Sequence, residues 1–136
     1  MNDKVSLDFE IISHALKRIN LPQVDCIVGI ANGGTIPAVL LAHQYDLPLR
    51  LLQINFRALD NSPQRPAPTL LVDVPSVPVG ARILLVDDVS VSGQTLSLAR
   101  DLLREHEVVT FTLKGHADIV LFPEIESCVN WPWKIW

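Results

Sequence analysis

The run Ile83-Leu84-Leu85-Val86-Asp87-Asp88, continuing as Val89-Ser90-Val91-Ser92-Gly93-Gln94-Thr95-Leu96, constrains this chain more than any other stretch. Four consecutive apolar residues without polar alternation predict a strand buried on both faces, as in a parallel sheet covered by helices. The strand runs into two adjacent carboxylates, and a short Ser/Gly/Thr loop then leads into a helical pattern. In sheets of this kind ligands sit at the carboxyl ends of the strands. Carboxylates there accept hydrogen bonds from a diol. A loop of successive N–H groups and hydroxyls at a helix N-terminus, which carries roughly half a positive charge, suits a phosphate. The combination points to a sugar phosphate.

Elsewhere the pattern alternates strand and helix. Residues 6–20 predict an amphipathic helix with Ser6 as N-cap and Leu7, Ile11, Ile12, Ala15, Leu16 and Ile19 on its apolar face. Cys26 to Ile30 predicts a second buried strand. Ala31-Asn32-Gly33-Gly34-Thr35 predicts a turn, Ile36 to Tyr45 a helix with Pro37 in its first turn, and Pro48 to Phe56 a strand. Residues 57–68 are polar, contain three prolines and predict a loop. Further strands are expected at 69–74, 82–87, 108–113 and 119–122, and a helix at 93–104. This order predicts an α/β fold, a doubly wound and mostly parallel sheet in one domain over 1–136.

With 136 residues, 49% hydrophobic and 19% charged, the chain suits a globular domain with a real core. A net charge of −4 argues against a nucleic-acid surface without excluding a small anionic ligand. Cys26 and Cys128 form no CxxC, and no His/Cys spacing for zinc is present. No apolar run approaches membrane-spanning length and Met1-Asn2-Asp3-Lys4 has no signal-peptide character, so a cytoplasmic protein is expected, with no membrane partner. The acidic loop is not a P-loop, since GxxxxGK[ST] is absent. Gly29-Ile30-Ala31-Asn32-Gly33-Gly34 does not match G-x-G-x-x-G.

Leu84 to Leu96 resembles the phosphoribosyl-diphosphate binding motif of the type I phosphoribosyltransferases: an apolar strand, two acids, a small loop with Ser-Gly, then x-Thr. Val28 to Ala38 resembles the family's diphosphate loop and following helix, and the tail Asn130-Trp131-Pro132-Trp133 resembles the hood of the small purine members of hypoxanthine and xanthine-guanine type. The resemblance implies that type of fold with a short hood at about 114–136. It implies transfer of a phosphoribosyl group from phosphoribosyl diphosphate to a base, most simply a 6-oxopurine, with Mg²⁺ as cofactor.

Carried over by position, the resemblance assigns Asp87 and Asp88 to the ribose hydroxyls and the chemistry, with the metal at Asp88. The donor motif spans Asp87, Asp88, Val89, Ser90, Val91, Ser92, Gly93, Gln94 and Thr95, of which Val91 to Thr95 hold the 5′-phosphate. Ala31, Asn32 and Gly33 match the diphosphate turn, in which members often carry a non-proline cis peptide. Segment 57–68 takes the place of a mobile loop, from which Arg57 and Arg65 supply charge or simply stand solvated. Lys114 matches a lysine that reads the exocyclic oxygen of the base. Cys128 and Val129 align with hood positions that stack on and read the purine, and Trp131 either stacks on the base or packs the hood. A homodimer is expected.

Four positions depart from the family pattern. Val91 stands where hypoxanthine-type members place an aspartate near the purine N7, Asn32 where many have Arg or Lys, Ser90 at a usually apolar position, and, in the hood, Cys128 where a stacking aromatic is usual. Two alternatives therefore stay open: a non-catalytic regulator that binds the same donor, and a transferase with a non-purine acceptor.

Overall fold

The computed structural model describes residues 4–55, 67–70 and 73–134. Its elements in chain order are β1 (Val5–Ser6), α1 (Phe9–Arg18), β2 (Cys26–Ala31), α2 (Thr35–Tyr45), β3 (Leu49–Asn55), β4 (Thr69–Leu70), β5 (Arg82–Ser90), α3 (Gln94–Leu102), β6 (Glu107–Gly115), β7 (Ile119–Val120) and β8 (Val129–Asn130). Six strands form the main sheet in the order β4-β3-β2-β5-β6-β7. All neighbours are parallel except β3 and β4. This is the expected mixed α/β architecture.

The two central strands explain why the sequence folds this way. Ile27 and Val28 of β2 and Ile83, Leu84, Leu85 and Val86 of β5 are fully buried, because both faces of the sheet are covered. Successive side chains alternate between faces. Leu84, Val86 and Ile27 pack with Ala38 and Leu41 of α2 and Ile12 and Leu16 of α1. Ile83, Leu85, Cys26 and Val28 pack with Leu96, Ala99 and Leu103 beneath α3.

Chain order and spatial order together create one special crevice. From β2 the chain passes through α2 to β3 on one side of the sheet; from β5 it passes through α3 to β6 on the other. Adjacent β2 and β5 therefore send their following loops to opposite faces. That divergence is the topological switch point at which doubly wound sheets bind ligands.

Several boundaries differ from the sequence expectation. α1 begins at Phe9, capped by the Asp8 carboxylate, which accepts from the Ile11 N–H at 2.9 Å. Ser6 instead lies in β1, which pairs in parallel with β8, Val5 opposite Val129 and Ser6 opposite Asn130. Ile11, expected on the apolar face, is exposed. β5 continues past Asp87 to Ser90, since β6 keeps pairing with it as far as Gly115. Of the strand expected at 69–74, Thr69–Leu70 is formed, residues 73–74 are not in a strand, and 71–72 lie outside the described residues.

Candidate functional site

The β5 run delivers Asp87 and Asp88 to the switch-point crevice. The β2–β5 pairing ends at Gly29 opposite Val86, one residue before the acids, while β6 still supports Asp87 through Thr112. Each carboxylate is tied to the backbone that follows it. Asp87 Oδ1 accepts the Asp88 N–H at 2.8 Å, and Asp88 Oδ1 accepts the Val89 N–H at 2.7 Å. Both residues are only 8% exposed. Strand alternation turns Asp87 toward the α3 face and Asp88 toward the α2 face.

Burial raises the Asp87 carboxyl well above the usual carboxylate range, and the neighbouring Asp88 charge adds to that effect. Two acids so placed call for positive charge. Lys134 supplies one unit, its ammonium lying 3.3 Å from Asp88 Oδ2.

The loop after β2 closes the other wall. Its Ala31–Asn32 peptide bond is cis. A Cβ on Gly33 would fall 2.7 Å from both oxygens of Asp88, so only glycine lets this turn lie against the carboxylate without displacing it. Asn32 is exposed beside it.

On the third side stands the start of α3. Gly93 is its N-cap in the left-handed conformation, at φ 80°, which a glycine adopts without the Cβ penalty. No side chain caps the helix, although Ser92 Oγ accepts the Gln94 N–H at 3.3 Å. The first turn of α3 thus keeps N–H groups for an anion. Ser92 and Gln94 are exposed, Gly93 and Thr95 half-buried, and Val91 is 75% exposed. Ser90 is buried, and its carbonyl accepts the His116 N–H at 2.9 Å.

The remaining candidates lie on β6, in β8 and on either side of β8. Lys114 is half-buried on β6 opposite Val89, and Cys128 is exposed just before Val129 in β8. Trp131 is 3% exposed, part of the main core, and stacked on Trp133 with ring centroids 5.5 Å apart. Packing, the second reading given for Trp131, describes its position. Arg57 and Arg65 lie outside the described residues. The sequence reading missed Lys134, because nothing local in the tail relates it to a β5 carboxylate.

The acids fit a divalent cation of the oxygen-preferring type. Among the described residues no group of three or more His, Cys, Asp or Glu side chains could hold a metal. Asp88, with Asp87 beside it, is the kind of one- or two-carboxylate site at which Mg²⁺ completes its shell from water and ligand phosphates. A separate cavity of about 270 Å³, lined by Asp25, Cys26, Pro48, Arg50, Gly80 and Ala81, lies at the opposite end of the sheet from these groups.

Comparison with known proteins bears on this arrangement. The family model described as "Phosphoribosyl transferase domain" matches residues 7–117. The chain belongs to the phosphoribosyltransferase family. Its likeness extends to purine-type members. It is 26% identical over 128 residues to a xanthine-guanine phosphoribosyltransferase of Idiomarina loihiensis, covering 88% of this chain and 78% of that one. Among solved structures it resembles a purine phosphoribosyltransferase from Pyrococcus horikoshii, with a TM-score of 0.80, 26% identity, and coverage of 98% and 95% of the two chains. A protein from Neisseria gonorrhoeae solved with ppGpp shares the fold at a TM-score of 0.75 and 24% identity, over 99% and 91%. The matched residues 7–117 include the acids of β5 and the loop before α3.

Proposed function

We propose that this phosphoribosyltransferase moves the 5-phosphoribosyl group from phosphoribosyl diphosphate to a 6-oxopurine and releases diphosphate, using Mg²⁺. The observation that carries the proposal is the convergence, at one switch point, of the Asp87–Asp88 pair, the Gly33 turn and the uncapped start of α3. The xanthine-guanine and purine relatives support the choice of a 6-oxopurine, as does Lys114, paired opposite Val89 just past the acids.

In this reading Asp87 and Asp88 accept hydrogen bonds from the ribose hydroxyls. The backbone and hydroxyls of Val91 to Thr95 hold the 5′-phosphate. The turn at Ala31, Asn32 and Gly33 faces the diphosphate, with Arg57 as a further contact. Lys114 donates to the exocyclic oxygen of the base, and Val129 and Cys128 line its edge. A base nitrogen forms a bond to C1 of the ribose as the C1–O bond breaks. The proton of the base nitrogen passes to water, and the electron pair leaves with diphosphate. Positive charge grows on the sugar as it does so, as in glycoside cleavage. Asp88 would hold Mg²⁺, which when bound would supply charge neutralisation for the leaving group. The protein's part is alignment and exclusion of water, because the activated sugar is otherwise hydrolysed.

A homodimer belongs to the proposal, with the exposed apolar side chains Phe9, Ile11, Val39 and Leu51 as surface available for it. A cytoplasmic location is part of the proposal. No helix among the described residues is long and apolar enough to cross a membrane.

Phosphoribosyl diphosphate with Mg²⁺ is expected to raise the melting temperature, and the Asp87→Asn, Asp88→Asn double variant to abolish the rise. One of hypoxanthine, guanine or xanthine is then expected to release diphosphate. Absence of any rise in the unaltered protein would overturn the site. One observation favours a second reading: Val91 leaves the acceptor side of the loop without a carboxylate. A donor-induced rise with no turnover across purines, pyrimidines and simple amines would select the regulator.

A further inference from the structure

Lys134 is held where it meets Asp88 by contacts from both ends of the chain. Its backbone N–H donates to the Trp131 carbonyl at 3.0 Å, closing a turn around Pro132 and Trp133. Trp133 stacks on the buried Trp131 and lies 5.9 Å, centroid to centroid, from Phe9 at the start of α1. Just upstream, β8 pairs with β1, and the Val5 N–H donates to the Cys128 carbonyl at 2.9 Å. The backbone at position 134 is therefore anchored to the N-terminal segment, while its side chain reaches across to β5.

The two oxygens of Asp88 are unequal. Oδ1 is committed to the Val89 N–H of its own strand at 2.7 Å. Oδ2 has the Lys134 ammonium beside it at 3.3 Å. The Asp88 side chain is 12% exposed and that of Lys134 36%, so this ion pair is shielded at the acid yet open at the ammonium. An ammonium at this oxygen and a metal at the same oxygen exclude each other by charge and by space.

Resting on the function proposed above, we infer that Lys134 is the resident counter-ion of Asp88: its ammonium holds the carboxylate oxygen that a divalent cation takes, so metal alone is disfavoured until the donor arrives with it. The half-open side chain can leave without disturbing the hood, whose anchorage is through the backbone and the tryptophans.

The test is a titration of the full chain with Mn²⁺ alone, donor absent, with free Mn²⁺ followed by electron paramagnetic resonance. Lys134→Gln is expected to bind Mn²⁺ about fivefold more tightly than the unaltered protein, or better still. Lys134→Arg, which keeps the charge, is expected to stay within about twofold of it, and adding Asp88→Asn to Lys134→Gln to remove the gain. Equal or weaker Mn²⁺ binding by Lys134→Gln, including no binding by either protein, overturns the inference. The donor-induced melting rise of the unaltered protein is measured alongside. If the rise is present and the Mn²⁺ gain absent, only the role of Lys134 falls. If the rise is absent, the functional reading falls and takes the inference with it.

Discussion

Gly33→Ala adds a single methyl group against the carboxylate of Asp88. Gly33 is not among the glycines with positive φ, so alanine suits its backbone and the methyl is the whole perturbation. That methyl would lie 2.7 Å from each Asp88 oxygen, where ordinary contact begins near 3.4 Å. The difference, 3.4 − 2.7, requires one side or the other to move about 0.7 Å. Asp88 yields poorly, because one oxygen is bonded to the Val89 N–H and the other faces Lys134. Overpacking of this kind costs about 1–3 kcal/mol. For a domain of this length that is a fall in melting temperature of about 4–12 °C. Displacing the carboxylate proposed to bind the donor by most of an ångström should weaken donor binding by at least about tenfold. The assay is a melting curve with and without phosphoribosyl diphosphate and Mg²⁺, followed by calorimetric titration of the donor. Gly80→Ala separates the two effects. Gly80 has φ 76° with nothing within 4 Å of its missing Cβ, so the substitution strains a turn at the far end of the sheet and touches nothing. It should cost about 1 kcal/mol and leave donor affinity unchanged. A Gly33→Ala protein with the donor affinity of the unaltered chain would refute the placement of the donor against Asp88.

Two other outcomes follow from burial. Because the folded-state pKa of Asp87 is raised, folding favours its protonated form. The resulting stability is fully present below the ordinary aspartate pKa and is lost as pH rises through the raised value. Without donor, Asp87→Asn should therefore melt above the unaltered protein near neutral pH. Its advantage should shrink as pH falls toward about 4. Parallel melting profiles across that range would show that Asp87 ionises normally. Trp131→Ala removes a buried ring stacked on Trp133 and should cost about 3–5 kcal/mol in denaturant unfolding. An unchanged unfolding midpoint would return Trp131 to the role of a free stacking surface.

The main elements were legible in sequence wherever burial leaves a local mark. A strand covered on both faces must be apolar throughout, so Cys26 to Ile30 and Ile83 to Val86 announce themselves. β5 outruns its apolar segment because pairing to β6, and not hydrophobicity, carries it through Asp87 and Asp88 to Ser90. The first helix was misplaced for a related reason. Ser6 and Asp8 are both good N-caps, and the choice went to Asp8 because β1 uses Val5 and Ser6 to pair with β8, more than a hundred residues away in the chain.

The acidic pair, the Ser-Gly-Thr loop and the Gly-rich turn are runs of neighbouring residues, and their chemistry can be read without knowing the fold. That sufficed to indicate a sugar-phosphate site and, through the resemblance, the family to which the chain belongs. What the fold alone decided are the contacts between distant segments: Gly33 against Asp88, Trp131 sealed beneath Trp133, and Lys134 on the free oxygen of Asp88. Local patterns record whether a residue is buried and which way a strand or helix turns it. They do not record which remote side chain fills the space opposite, because that partner is chosen by sheet order, by the switch point between β2 and β5, and by the closing of the chain's two ends on each other.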